Sequence, residues 1–233
     1  MSLPSNPPPT DRSPDAVVYQ GQFGPYTITD QDRLGVQIYR GGLGIAALAL
    51  GAGVLLGLGF PQHPALVQAI SLCYTGLWLG LGLSLTTIHI YLVPLHRLLQ
   101  VFWLVGGVAT LAIAHGIDGP LAETVVAYPQ TLWGIGFTFA ALTGIYIKEA
   151  FCFNRLETKL LTPLVPLLLL GHLFGLLSTP AEQALLLLWA LLFGVFVLRK
   201  LAQPLVPDIG DKSVFAYLKT GTTPGSPTST ADG

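Results

Sequence analysis

Apolar residues run in six long blocks broken by short polar stretches, at roughly 38–60, 65–93, 98–115, 128–147, 160–177 and 181–198. Each is near the ~20 residues that a helix needs to cross a hydrocarbon core. The pattern predicts an all-α integral membrane fold, a bundle of six transmembrane helices over 38–200. The second block is long enough to tilt or to project beyond the bilayer. In the fifth, Thr162 is placed to cap a helix with Pro163 at its first position, and Pro166 then bends or loosens the opening turns. At the sixth, Thr179, Pro180 and Glu182 repeat the cap, proline and acid signature of a helix start.

The flanks read differently. Residues 1–37 form a predicted cytoplasmic arm, and 1–16, with Pro4, Pro7, Pro8, Pro9 and Pro14, are too poor in apolar side chains to fold alone and are expected to be disordered. Residues 17–29 (VVYQGQFGPYTIT) carry β-prone residues around Gly24 and Pro25, which suits a small hairpin or an extended arm. Thr29 and Asp32 have capping-box spacing, so a helix is expected to start near Asp30 and feed the membrane. No basic stretch leads into a short apolar core here, so no cleavable signal is expected, and Asp11 and Asp15 argue against a transit peptide. Residues 201–233, rich in Pro, Gly, Ser and Thr after Tyr217, read as a flexible cytoplasmic tail.

Charge sets the expected orientation. Arg12, Arg33 and Arg40 precede the first block, and Arg97 falls between the second and third. Lys148, Arg155 and Lys159 lie between the fourth and fifth, and Arg199, Lys200, Lys212 and Lys219 follow the sixth. The three alternate loops hold Asp118, Glu123 and Glu182 instead. Such alternation predicts both termini on the cytoplasmic side; in a thylakoid that side is cytosol or stroma. With 52% hydrophobic and 10% charged residues, against about 25% charged in soluble domains, the class is membrane-embedded. No basic patch interleaved with aromatics points to nucleic acid. Cys73 and Cys152 are read as free thiols, with Cys152 either a small apolar residue between Phe151 and Phe153 or a reactive thiol beside Lys148 and Arg155.

Polar chemistry gathers at the predicted inner face. The second block ends in LTTIHIYLVPLHR, supplying His89, His96 and Arg97, and the stretch GIYIKEAFCFNRLETKLLTPLVPLLLLGHLFG supplies Lys148, Glu149, Arg155 and Glu157 in an expected short turn after Ile147. Ionisable residues near membrane depth are candidates for function. Lys148 and Glu149 at a helix end could snorkel to the headgroups, so pairing that fixes the hairpin is the favoured role, with substrate or partner contact as the alternative. His172 stands about 13 residues beyond Lys159, hence roughly 20 Å from that face. Hydrogen bonding to a neighbouring helix is favoured for it; a haem or metal ligand paired with His115, about 7 Å off in depth, is the alternative. No cofactor and no metal site is expected. Gly171, His172 and Gly175 share spacing with the histidine helix of rhomboid proteases, but Gly82, Leu83, Ser84 and Leu85 lack the final glycine of a nucleophile turn, and Ser84 lies at another depth. Walker, His-Glu-x-x-His and Cys-x-x-Cys motifs are absent.

Small residues at four-residue spacing (Gly53 and Gly57; Gly76, Gly80 and Ser84; Gly136, Ala140 and Gly144; Gly171 and Gly175) let helix backbones approach. Packing within the bundle is favoured over self-association. No internal repeat is evident, which weakens a transporter of inverted-repeat type.

The segment KEAFCFNRLETKLLTPLVPLLLLGHLFG, with the arm VYQGQFGPYTITDQDR, resembles a family of uncharacterised integral membrane proteins of cyanobacteria and plastid-bearing organisms, over about 18–201. The resemblance implies a phototroph thylakoid or plasma membrane and carries no site residues. The expected function is a non-enzymatic accessory, assembly or scaffold protein within the lipid bilayer and a larger membrane complex. A small-solute transporter or channel passing His172 and reaching Lys148 and Glu149 is the alternative, and a haem or redox protein the third reading.

Overall fold

The computed structural model describes residues 17–59 and 63–220. The disorder expected of 1–16, and the end of the tail from 221, lie outside the described residues. The chain divides into two units, a helical bundle over 35–203 and a smaller unit made from the described residues of the two ends, up to 34 and from 204.

Long helices dominate the bundle: α1 Asp30–Gly59, α2 Pro64–Thr87, α3 Val93–Gly116, α5 Leu132–Phe153, α6 Leu156–Leu173 and α7 Thr179–Ala202, with a short α4 Leu121–Ala127 and a 3₁₀ turn Pro129–Thr131 before α5. Among the described residues six helices are long and apolar enough to cross a membrane. Leu48, Leu72, Val108, Leu111, Leu191 and Leu198 stand on outer faces with more than half their surface open. So much exposed apolar surface calls for a lipid surrounding.

Helix ends differ from the pattern-based expectation for identifiable reasons. Apolar residues continue to Val93, yet α2 stops at Thr87 and the chain runs extended from Ile88 until α3 begins with Pro94 in its first turn. Proline lacks an N–H and suits only a helix start, so it splits an apolar run that hydropathy alone leaves continuous. Conversely, α5 does not end at Ile147. It continues to Phe153 and stops at Asn154, whose φ of 50° is left-handed. Lys148 and Glu149 are therefore helical, not part of a turn. Because α6 opens at Leu156, Pro163 and Pro166 fall inside it, and the Thr162 hydroxyl donates to the Thr158 carbonyl instead of capping. Ser178, not Thr179, is the N-cap residue of α7 and caps without its side chain.

α3 packs on α5, α5 on α6 and α6 on α7. Fully buried Leu43, Leu81, Leu142, Tyr146, Leu161, Phe193 and Phe196 belong to one continuous core. α1 and α2 cross where Gly42 faces Gly80: a Cβ on Gly80 would lie 2.6 Å from the Gly42 carbonyl oxygen and 2.8 Å from the Ala46 nitrogen. The same approach lets the Ser84 hydroxyl donate to the Tyr39 carbonyl at 3.0 Å. Small-residue spacing thus serves packing between these two helices, including Gly53 against Cys73 and Gly76 against Ala49.

Between α2 and α3 stands a tryptophan pair that the sequence does not announce. Trp78 Nε1 donates to the Trp103 carbonyl at 3.0 Å and Trp103 Nε1 to the Trp78 carbonyl at 2.8 Å, with the rings stacked 4.3 Å apart. Each indole covers the glycine four residues beyond its partner, Gly107 and Gly82. An N–H with no water nearby must find an acceptor, and the reciprocal arrangement satisfies both.

In the smaller unit, β1 Val18–Gly21 and β2 Gly24–Thr27 form an antiparallel hairpin with Tyr19 opposite Tyr26. The start of α1 carries the reciprocal cap, Thr29 N donating to Asp32 at 2.8 Å and Asp32 N to Thr29 at 3.3 Å. Within 201–220 the chain forms helices α8 Val206–Ile209 and α9 Lys212–Thr220. Asp211 and Ser213 at the start of α9 receive the two turn amides of the hairpin, Gln22 N to Asp211 at 2.6 Å and Phe23 N to Ser213 at 3.0 Å, and Phe23 stacks on Tyr217 at 4.0 Å. Gly21 carries no side chain because a Cβ there would press on the Asp211 carboxylate.

Burial raises the Asp211 carboxyl pKa, but hydrogen bonds from the Ser213 hydroxyl and from the Gln22 and Ser213 amides outweigh it and leave the value lowered. A lowered folded pKa means that this contribution is present above the ordinary carboxylate range near ~3.9 and is lost as pH falls through the folded value. Asp211→Ala is expected to speed hydrogen exchange at the Gln22 and Phe23 amides about fivefold, since these charge-assisted bonds are partly solvated. Unchanged exchange at both amides would show that the hairpin holds without α9.

Candidate functional site

Polar side chains converge at the end of the bundle where α1, α3 and α6 begin and α2, α5 and α7 finish. Glu149 is completely buried at its centre. Its Oε1 accepts from the Tyr39 hydroxyl at 2.9 Å and from Lys148 Nζ at 2.8 Å; its Oε2 accepts from Lys200 Nζ at 2.6 Å. Lys200 is itself buried, with its ammonium 3.9 Å from the centre of the Phe153 ring. Three helices, α1, α5 and α7, are therefore tied through one carboxylate.

A lone buried carboxylate would shed its charge, and an unpaired buried ammonium likewise. Here the charges hold one another, and the ring faces of Tyr39 and Phe153 add a negative quadrupole beneath the cations. Both carboxylate oxygens are engaged, so Glu149 acts as a clamp in this arrangement. It does not snorkel, because α5 continues past it and its side chain turns into the bundle.

Beside this clamp lies a second layer. Arg199 Nη1 donates to Glu157 Oε2 at 2.7 Å, and Arg155 Nη1 stands 3.9 Å from Glu157 Oε1. Those last two atoms are buried without a hydrogen bond. Arg155 also donates to the Gln203 side chain, and Arg40 Nη1 donates to the Gln203 carbonyl at 2.6 Å. The expected pairing of Arg155 and Glu157 is thus part of a network joining α1, α6 and α7.

The remaining candidates separate. His96 Nε2 lies 2.7 Å from the Leu85 carbonyl, to which Gln100 also donates at 3.2 Å; the pair satisfies a carbonyl in the last turn of α2, where no helical donor remains. His89 is half-buried in the extended link after α2, and Arg97 is exposed. At the opposite end of the bundle, His172 Nδ1 meets Glu182 Oε1 at 2.8 Å across the turn from α6 to α7, while its Nε2 is buried without a partner. Since α6 ends at Leu173, His172 occupies a last helical turn instead of the interior of a span. His115 Nδ1 bonds the Leu111 carbonyl of its own helix. Among the described residues no three His, Cys, Asp or Glu side chains are grouped as metal ligands.

The sequence pattern counts Lys200 only among the basic residues that follow the sixth block and does not single out Tyr39. A signal was present: Trp189, Phe193, Phe196 and Lys200 fall on one helical stripe, so Lys200 continues the buried face of α7.

Searches among curated proteins and among solved structures find no match to the chain. Residues 83–217, more than half of its length, match the family described as uncharacterized integral membrane proteins, DUF2301. That match takes in the ends of all the helices that build the Glu149 clamp except α1. With six spans and this match, the chain is a multi-pass integral membrane protein and belongs to the DUF2301 family.

Proposed function

We propose that this protein is a non-enzymatic accessory or assembly scaffold of a phototroph membrane, thylakoid or plasma, with both termini cytoplasmic. The observation that carries the reading is the enclosed Glu149: a carboxylate with no exposed surface, whose two oxygens are held by Tyr39, Lys148 and Lys200, fixes helices and presents no open face to a substrate. The alternation of basic and acidic loops supports the orientation, and the likeness of KEAFCFNRLETKLLTPLVPLLLLGHLFG to cyanobacterial and plastid proteins supports the membrane. A transport path from the His172 end to Glu149 would have to pass Trp189, Tyr146, Phe193 and Phe196, which are buried against one another. That interior favours the scaffold over the transporter.

Purification of the full chain in mild detergent, with an absorbance spectrum and mass spectrometry on one peak, tests it. Stoichiometric subunits of a larger membrane complex in a colourless peak are expected. A partner-free peak that moves a solute into liposomes, or a Soret band, would overturn the scaffold.

A further inference from the structure

We infer that Arg155 and Glu157 share one internal water, which closes a polar ring between the start of α6 and the end of α7. Arg155 Nη1 and Glu157 Oε1 are buried, lack a hydrogen-bond partner among the described residues and stand 3.9 Å apart. Their side chains are 11% and 5% exposed, so bulk solvent does not serve these atoms. The nitrogen is a donor and the carboxylate oxygen an acceptor. One group that accepts from the first and donates to the second meets both needs.

The chemistry of the two atoms selects that group. A small anion would be repelled by Glu157, and a metal cation by Arg155. A headgroup hydroxyl comes attached to a bulk that atoms without open surface do not admit. Water is small, neutral, and both donor and acceptor. Its oxygen, about 2.9 Å from the nitrogen and about 2.7 Å from the carboxylate oxygen, would hold the two at an angle of roughly 90°, which a water accepts.

The gap is set by α7. Arg155 Nη2 donates to the Gln203 side chain, and Glu157 Oε2 accepts from Arg199 Nη1 at 2.7 Å. Gln203 follows the last turn of α7, four positions beyond Arg199, and side chains at that spacing leave the backbone about 5–6 Å apart. The two partners are thereby held apart. The Phe153 ring, 5.8 Å from the guanidinium carbon, also steadies Arg155. Nor does α6 press them together, since residues two positions apart do not share a helix face. Direct pairing would cost a bond to α7, whereas a water spans the distance with every bond kept.

The test is a crystal structure of the full chain, grown in a lipid mesophase, at a resolution that shows ordered waters. A water peak within hydrogen-bonding distance of both Arg155 Nη1 and Glu157 Oε1 is expected. Gln203→Ala removes the side chain that holds Arg155 away and leaves the carbonyl that accepts from Arg40. In that variant the guanidinium should close on Glu157 to a direct bond of about 2.8 Å, with loss of the peak. Direct pairing without a peak in the native chain, an ion or a detergent or headgroup hydroxyl in its place, or a water that stays in Gln203→Ala would overturn the proposal.

Discussion

Glu149→Gln should sharply lower the amount of folded protein in the membrane and its thermal midpoint in detergent. The replacement keeps the shape of the side chain but removes the counter-charge from Lys148 and Lys200, the latter buried against Phe153. Breaking a buried pair while leaving one partner charged costs about 3–5 kcal/mol in proteins. Against a typical total of about 5–15 kcal/mol, that is a large share. Lys200→Met should do similar harm from the other side, whereas the combination of Glu149→Gln with Lys200→Met should recover much of the loss, because neither buried charge of that pair then remains. Native abundance and melting in Glu149→Gln, with loss of co-purifying subunits, would instead make Glu149 a contact residue.

Gly80→Ala is expected to damage the same region through the crossing of α1 and α2. The added methyl would press on the Gly42 carbonyl oxygen and the Ala46 nitrogen, and backbone cannot rotate away as a side chain can. α1 and α2 must part, at a cost of about 1–3 kcal/mol for overpacking. Separation also stretches the Ser84 hydroxyl bond to the Tyr39 carbonyl, on the residue whose phenol holds Glu149. Thermal midpoints of Gly80→Ala and Gly51→Ala in one detergent decide the matter, since a methyl on Gly51 meets open space. Equal loss in both variants would mean that helix propensity or insertion, and not the crossing, limits stability.

The sequence determined by itself the class, the number of spans and the clustering of charge. Length and polarity of a run are properties of the run alone, so six apolar blocks suffice to give six helices. The reciprocal cap of Thr29 and Asp32 was legible for the same reason, being closed within four residues. Lys148, Glu149, Arg155 and Glu157 could be picked out because ionisable groups are rare between such blocks. Only the tertiary structure decided what they do. Whether Glu149 points to headgroups or into the bundle depends on how far α5 continues, which Asn154 sets through its left-handed backbone, and on a partner 51 residues away, Lys200. The two tryptophans likewise find acceptors only because α2 and α3 meet in one register, and the pairing of Asp211 with the hairpin turn joins opposite ends of the chain. Such contacts are selected by which faces meet, and a linear pattern records a face without naming its partner.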